Sequence, residues 1–178
     1  MVTFLEKHFK DHANFVDLNS VSDGICNNNS KEYINFDEFI HSLYQKGYFS
    51  GDTFSSPDTI LLNSTETHLI LVEFKDMNSL QSEDNIKEWW KDKNRSVYLK
   101  ITDTILGLGY YLKNNCDQNY DDFLNISKSF FYVYKSNTYK KKIKHHLQYK
   151  FSRYDFLFKN IRTAEATSFE NFLTNNNL

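Results

Sequence analysis

The sequence predicts a mixed α/β domain in which a central β-sheet is flanked by helices. Three observations indicate this class. Apolar residues recur at helical spacing near the N-terminus, two short runs rich in branched residues follow, and helical and strand-like segments alternate afterwards. The chain has 178 residues, 40% of them hydrophobic, which is enough for a core of its own. Residues 1–178 are therefore interpreted as one domain.

The N-terminal third is predicted to contain two helices. Apolar side chains recur every three to four residues over 3–18 and again over 36–45. Asn35 or Asp37 can cap the second helix, and Gly47 follows it where a C-cap glycine belongs.

The spacing of apolar residues then changes to that of strands. The runs 59–62 and 68–75 are rich in Ile, Leu and Val, and the polar residues 63–67 separate them. Two such runs around a short polar segment predict a β-hairpin.

The C-terminal half is predicted to alternate between helices and strands. Gly107 and Gly109 lie inside one of these helices, where they are interpreted as positions of close packing. In chain order the predicted elements are a helix at 96–113, a strand at 127–135, a basic helix at 138–150, a strand at 154–161 and a short helix at 168–173.

Charged residues converge at one end of the predicted hairpin. Pro57-Asp58 begins the first strand, and Glu73-Phe74-Lys75 ends the second. Asp58 and Glu73 can approach each other on adjacent strands, while Glu73 and Lys75 point to the same face of their strand. Acid-x-Lys occurs once in the chain, in the segment that is most typical of a strand.

A carboxylate pair of this kind predicts a site for a divalent cation. Two buried carboxylates repel each other, and a hard cation such as Mg²⁺ relieves that repulsion. A metal beside a lysine can polarise a phosphate, activate a water and stabilise the developing charge. The simpler alternative is a Glu73–Lys75 pair on the surface at a strand end.

These residues resemble the signature of the PD-(D/E)XK nuclease superfamily, and the resemblance covers roughly residues 32–136. It implies a restriction-endonuclease-like αβββαβ core, a mixed sheet flanked by helices, and Mg²⁺ or Mn²⁺ as cofactor. By resemblance, Asp58 and Glu73 bind the metal, the backbone carbonyl of Phe74 is a further ligand, and Lys75 is the catalytic lysine.

The same resemblance suggests two further site residues. Many members carry an acidic residue on the helix before the hairpin, for which Glu32, Asp37 and Glu38 are candidates. Glu38 is preferred as a metal ligand because Asp37 can serve as the cap. On the helix after the motif, Lys100 can reach the substrate, or it can form an exposed intrahelical pair with Asp103.

The C-terminal half is predicted to bind nucleic acid. Residues 1–90 carry a net charge of −9 and residues 91–178 a net charge of +7. Lysines there can contact phosphates without reading sequence, and a solvated basic face is the alternative. The candidate nucleic-acid-binding residues are Lys100, Lys140, Lys141, Lys142, Lys144 and Arg153.

Together these features predict a metal-dependent nuclease, with DNA favoured over RNA and endonuclease over exonuclease action. The alternative is a non-catalytic nucleic-acid-binding or assembly subunit of a defence, repair or restriction complex. A homodimer or a partner subunit is compatible with either function. Two cysteines 90 residues apart and the lack of a long apolar run indicate a cytoplasmic protein with no membrane partner.

Overall fold

The computed structural model describes residues 1–27, 31–63, 68–80, 82–136, 140–151 and 154–178. Within these ranges no helix is both long enough and apolar enough to cross a membrane. The elements are α1 (Val2–His12), β1 (Phe15–Asp17), α2 (Leu18–Val21), β2 (Glu32–Ile34), α3 (Phe36–Gln45), β3 (Thr59–Asn63), β4 (His68–Asp76), α4 (Glu83–Asn115), α5 (Tyr120–Asn125), β5 (Ser127–Lys135), α6 (Lys140–Phe151), β6 (Asn160–Glu165) and α7 (Ala166–Asn175).

A four-stranded mixed sheet, in the order β3-β4-β5-β6, forms the centre of the fold. β3 and β4 are antiparallel, with Thr59 opposite Val72, whereas β4, β5 and β6 run parallel. Parallel neighbours need crossover connections, which contain α4 and α6. The predicted α/β class with a mixed sheet and flanking helices is confirmed. The order differs from αβββαβ because two strands of this sheet, rather than three, lie between α3 and α4.

The two central strands are buried because helices cover both faces of the sheet. In β4, Leu69 and Leu71 face the cluster that contains α1, α3, α4 and α6. Ile70, Val72 and Phe74 face the opposite cluster, which contains α7. A parallel strand buried on both sides reads as a nearly continuous apolar run, which is how β4 and β5 appear in the sequence.

The N-terminal helix is shorter than predicted. The prediction of a helix over residues 3–18 is wrong after His12, because Ala13 is extended and 15–17 form β1. Val16 pairs with Tyr33 of β2, and the Asp17 side chain accepts the Ser20 N–H at the start of α2. In residues 15–17, pairing with β2 therefore decides the structure, although the spacing of apolar residues there also fits a helix.

The helix predicted over residues 96–113 begins thirteen residues earlier, at Glu83. Ser82 caps it by accepting the Asn85 N–H at 3.1 Å. The first turns are mostly charged, and their few buried apolar residues, which include Ile86 and Trp90, give only a weak helical pattern in the sequence. The prediction of a strand over residues 154–161 is wrong before Asn160, because 155–157 form a turn and β6 begins at Asn160.

α5 was not predicted, and a buried lysine closes it. Asn119 caps its first turn by accepting the Asp121 N–H at 2.9 Å. The Lys128 ammonium donates to three carbonyls at the end of the helix, those of Phe123, Leu124 and Ile126, at 2.6, 2.8 and 2.9 Å. Burial lowers the pKa of Lys128 to about 8.

The two glycines of α4 allow close packing, as predicted. A Cβ at Gly109 would lie 2.2 Å from Cε2 of Tyr120, and a Cβ at Gly107 would lie 2.6 Å from the ring of Phe54. Aromatic rings therefore rest directly on the backbone of this helix.

We predict that Gly109→Ala lowers the free energy of unfolding by about 1–3 kcal/mol, because the methyl group meets the Tyr120 ring. In a Tyr120→Ala background the same change should destabilise less, because only the contact with Phe123 Cδ1 at 3.1 Å remains and alanine favours helix over glycine by about 1 kcal/mol. Denaturant unfolding of the four proteins measures both effects. Equal destabilisation in the two backgrounds would contradict this packing.

Candidate functional site

Asp58 is fixed in place by hydrogen bonds from two other elements. It directly precedes β3, and its backbone carbonyl accepts the Phe36 N–H at the start of α3, at 3.1 Å. Its Oδ2 accepts the Phe74 N–H of β4 at 2.6 Å. The N–H of Phe74 lies beyond the last residue that pairs with β3, so the Asp58 carboxylate satisfies it.

Lys100 of α4 brings Asp58 and Glu73 together. Its Nζ lies 2.8 Å from Oε2 of Glu73 and 3.6 Å from Oδ1 of Asp58. The Glu73 side chain is 8% exposed, and the other two are 22% and 24% exposed. The predicted convergence of two carboxylates at the hairpin end is therefore observed. Among the described residues Lys100 makes no ion pair with Asp103, whose Oδ2 accepts the Ser55 N–H at 3.3 Å.

The cluster sets two acids against one ammonium, and both acids are weakened. Burial raises the pKa of Glu73, and the neighbouring Asp58 raises it further, while Lys100 opposes both effects. Burial likewise raises the pKa of Asp58 against the opposing charge of Lys100. Burial alone would lower the pKa of Lys100, but Glu73 and Asp58 outweigh it, so the ammonium stays charged. One ammonium does not restore the ordinary acidity of the two carboxylates.

A third carboxylate, Asp37 of α3, acts on the cluster electrostatically. Its charge raises the pKa values of Asp58, Glu73 and Lys100, and its Oδ1 accepts a hydrogen bond from Ser56 Oγ. The cap of α3 is Asn35, so Asp37 is not needed in that role.

Glu38, the acid preferred from the sequence, is exposed and accepts a hydrogen bond from Asn14 Nδ2 at 2.7 Å. Glu32 lies in β2, paired with Asp17, and is also exposed. Among the described contacts neither residue touches Asp58, Glu73 or Lys100. If Asn35 is taken as the cap, Asp37 becomes the better candidate for the acid near the cluster. Asp37 and Glu38 are neighbours in a helix, so their side chains lie on different faces and only one of them can point toward the cluster.

Tyr132 adds a polar group that the sequence analysis did not single out. It lies opposite Glu73 in the β4–β5 register, and it is fully buried. Its hydroxyl has no hydrogen-bond partner among the described residues. Burial raises the pKa of Tyr132 well above its ordinary value, and Glu73 and Asp58 raise it further. The hydroxyl is thus a protonated donor on the same side of the sheet as Glu73.

The residues fit a small divalent cation held by two carboxylates. The described ranges contain no group of three or more His, Cys, Asp or Glu residues arranged to hold a metal. Mg²⁺ nevertheless needs only one or two carboxylates, since it keeps several waters. Asp58 Oδ1 and Glu73 Oε2 already converge on one cationic atom, Lys100 Nζ. Two carboxyl groups supply the hard oxygen donors that such an ion prefers.

Phe74 and Lys75 occupy different environments at the end of β4. The Phe74 side chain packs on the opposite face of the sheet, with its ring centroid 5.7 Å from that of Phe169. Lys75 is exposed and makes no ion pair with a described residue, so the alternative of a surface pair with Glu73 is not observed. By strand alternation Lys75 extends on the same side as Glu73.

An exposed basic face of α6 lies on the same side of the sheet as the cluster. Lys141 and Lys144 are exposed, whereas Ile143 and Phe151 of the same helix are buried. The Phe151 ring lies 5.3 Å from that of Tyr132. Of the other predicted nucleic-acid-binding residues, Arg153 and the side chains of Lys140 and Lys142 lie outside the described residues.

We predict a pH signature for the buried Glu73. Because its pKa is raised in the folded state, its stabilising contribution is complete below the ordinary carboxyl value and is lost as pH rises through the raised pKa. The difference in unfolding free energy between wild type and Glu73→Gln should therefore fall by more than about 1 kcal/mol between about pH 5 and about pH 8.

Denaturant unfolding at the two pH values measures this difference. Glu38→Gln is the matched control, since that carboxylate is exposed and outside the cluster. A difference that stays constant with pH would show that Glu73 does not titrate in this environment.

No protein-family model matches the chain, and neither a curated protein nor a solved structure matches it. The assignment of the site therefore rests on its residues and their geometry.

Proposed function

We propose that the protein is a metal-dependent nuclease that hydrolyses phosphodiester bonds in nucleic acid, with DNA favoured over RNA. The observation that carries this proposal is the convergence of Asp58 and Glu73 on a single cationic position at the end of the sheet. Packing does not require this arrangement, because apolar residues of similar volume would fill the space at least as stably. Its PD-(D/E)XK-like signature supports the same chemistry.

In this proposal Asp58 and Glu73 hold Mg²⁺ or Mn²⁺, with the backbone carbonyl of Phe74 as a further ligand. When bound, the metal supplies a Lewis acid for the phosphate and lowers the pKa of a coordinated water.

The two lysines then have separate roles. Lys100 orients the carboxylates and partly offsets the rise in their pKa values, because it is already paired with both of them. Lys75 is exposed and extends on the same side of β4, so its ammonium is available to orient the attacking water or to stabilise charge on the phosphate. The protonated hydroxyl of Tyr132 can donate to a water at Glu73.

Nucleic acid would reach the cluster across the exposed face of α6. Lys141 and Lys144 offer phosphate contacts on the side of the sheet where Glu73 lies. Such contacts hold a strand without reading its sequence, which is in line with a chain that contains only 3 Arg residues.

One observation favours the alternative function, a non-catalytic nucleic-acid-binding or assembly subunit. Lys100 already places a positive charge between Asp58 and Glu73, which is where a metal would lie. A protein of this kind would bind nucleic acid through α6 without needing a metal.

We predict that cleavage requires Mg²⁺ or Mn²⁺, and that Lys75→Ala and Glu73→Gln each lower the rate by about 100-fold or more, because each change removes a charge that acts in the transition state. Labelled single- and double-stranded DNA and RNA are incubated with each protein in Mg²⁺, Mn²⁺ or EDTA. The products are resolved by gel electrophoresis.

Lys10→Ala is the matched control, since Lys10 is an exposed lysine on α1 that pairs only with Glu6 among the described residues. Cleavage that persists in EDTA or in Glu73→Gln would refute the proposed site. Nucleic-acid binding by the wild type without cleavage of any substrate would favour the non-catalytic alternative.

A further inference from the structure

An open aromatic groove lies on α4 next to the carboxylate cluster. Its volume is about 510 Å³. Leu106 and Tyr110 are 61% and 57% exposed there, although both are large apolar side chains. A concavity of this volume with mostly aromatic walls is typical of sites that bind ligands. The groove is lined by Phe49, Phe54, Leu106, Tyr110, Lys113 and Tyr120.

The shape of the groove depends on the missing side chain of Gly107. A Cβ at that position would lie 2.6 Å from the Phe54 ring, so the ring rests against the helix backbone. Phe49 packs edge-on against Phe54, with centroids 5.3 Å apart, and its ring centroid lies 6.1 Å from that of Tyr110. The walls are therefore formed mainly by ring faces and edges that pack against one another.

The groove and the cluster lie along one face of α4. Lys100, Asp103, Gly107 and Tyr110 follow one another at spacings of three to four residues, which keeps them on one side of the helix. At 1.5 Å per residue, Tyr110 lies about 15 Å along the axis from Lys100.

The loop before β3 forms a second connection between groove and cluster. Phe54 lines the groove, and the next residue, Ser55, donates its N–H to Asp103. Ser56, which lies two residues before Asp58, donates its hydroxyl to the Asp37 carboxylate. The Asp103 carboxylate also lines the groove and would repel a phosphate. The phosphates of a bound strand would therefore lie on the side of Lys113.

We infer that this groove binds unpaired bases of a single-stranded nucleic acid, next to the strand segment whose phosphate reaches Asp58 and Glu73. This inference rests on the proposed function. Aromatic side chains stack on the flat face of any base, and a lysine at the margin of the groove contacts the adjoining phosphate. Bases inside a duplex are already stacked on each other, so the groove selects single strands or locally opened ends.

The experiment measures binding in EDTA, where the proposed hydrolysis cannot proceed. Fluorescence anisotropy follows a labelled oligothymidylate of about ten nucleotides, and an oligomer of equal length made of abasic sites keeps the phosphates but removes the bases. We expect the wild type to bind oligothymidylate at least about 10-fold more tightly than the abasic oligomer. Oligouridylate tests whether a ribose strand is accepted as well.

Tyr110→Ala should weaken binding of oligothymidylate by about 5- to 100-fold and leave the abasic oligomer unaffected, because only the bases stack on the ring. Phe156→Ala is the matched control, since Phe156 is an aromatic residue that is 80% exposed and does not line the groove. Lys113→Ala should instead weaken both oligomers and reduce the salt dependence of binding.

Equal affinity for the two oligomers, or no effect of Tyr110→Ala, would overturn the inference whether or not the protein cleaves nucleic acid. Self-association that Tyr110→Ala abolishes, without any dependence on bases, would assign the groove to a second copy of the chain and would also overturn it. Base-dependent binding without metal-dependent cleavage would leave the groove established and refute only the proposed nuclease.

Discussion

The candidate site depends on one interaction, the sharing of the Lys100 ammonium between the carboxylates of Asp58 and Glu73. Buried ion pairs contribute little to stability, because removal from water offsets most of their attraction. Here the attraction is also incomplete, since burial and mutual repulsion still raise the pKa values of both acids. Because packing alone would not select this arrangement, it is the part of the fold that a functional role would best explain.

The rest of the fold serves to bring these groups to one place. The hairpin of β3 and β4 supplies the two acids, and the first turn of α3 supplies Asp37. The crossover helix α4 supplies Lys100, and the packing of aromatic rings on Gly107 and Gly109 fixes the position of that helix. The same packing leaves the aromatic groove open, so the candidate site and the groove depend on one helix.

Much of this arrangement is predictable from the sequence. The bounds of α3 and β5 agree with the predicted 36–45 and 127–135, because both segments have a clear apolar period and clear ends. The juxtaposition of Asp58 and Glu73 follows from the hairpin, whose register is set by its apolar residues. Local patterns were insufficient where distant pairing decides the structure, as in β1, which forms a strand because β2 lies beside it. The roles of Asp37 and Tyr132 likewise depend on which side chains meet across three elements. The prediction for Lys100 is a substrate contact or a pair with Asp103, whereas in the structure it pairs with Glu73 and Asp58.

The most direct test of the account is titration of the metal-free protein with Mn²⁺ by isothermal calorimetry. The account predicts saturable binding by the wild type, loss of that binding in Glu73→Gln and its retention in Glu38→Gln, because only Glu73 belongs to the pair of acids on which a cation converges. It also predicts tighter binding as pH rises, since protons and the metal compete for carboxylates whose pKa values are raised. A wild type that binds no Mn²⁺, or a Glu73→Gln variant that binds it equally well, would contradict the central claim.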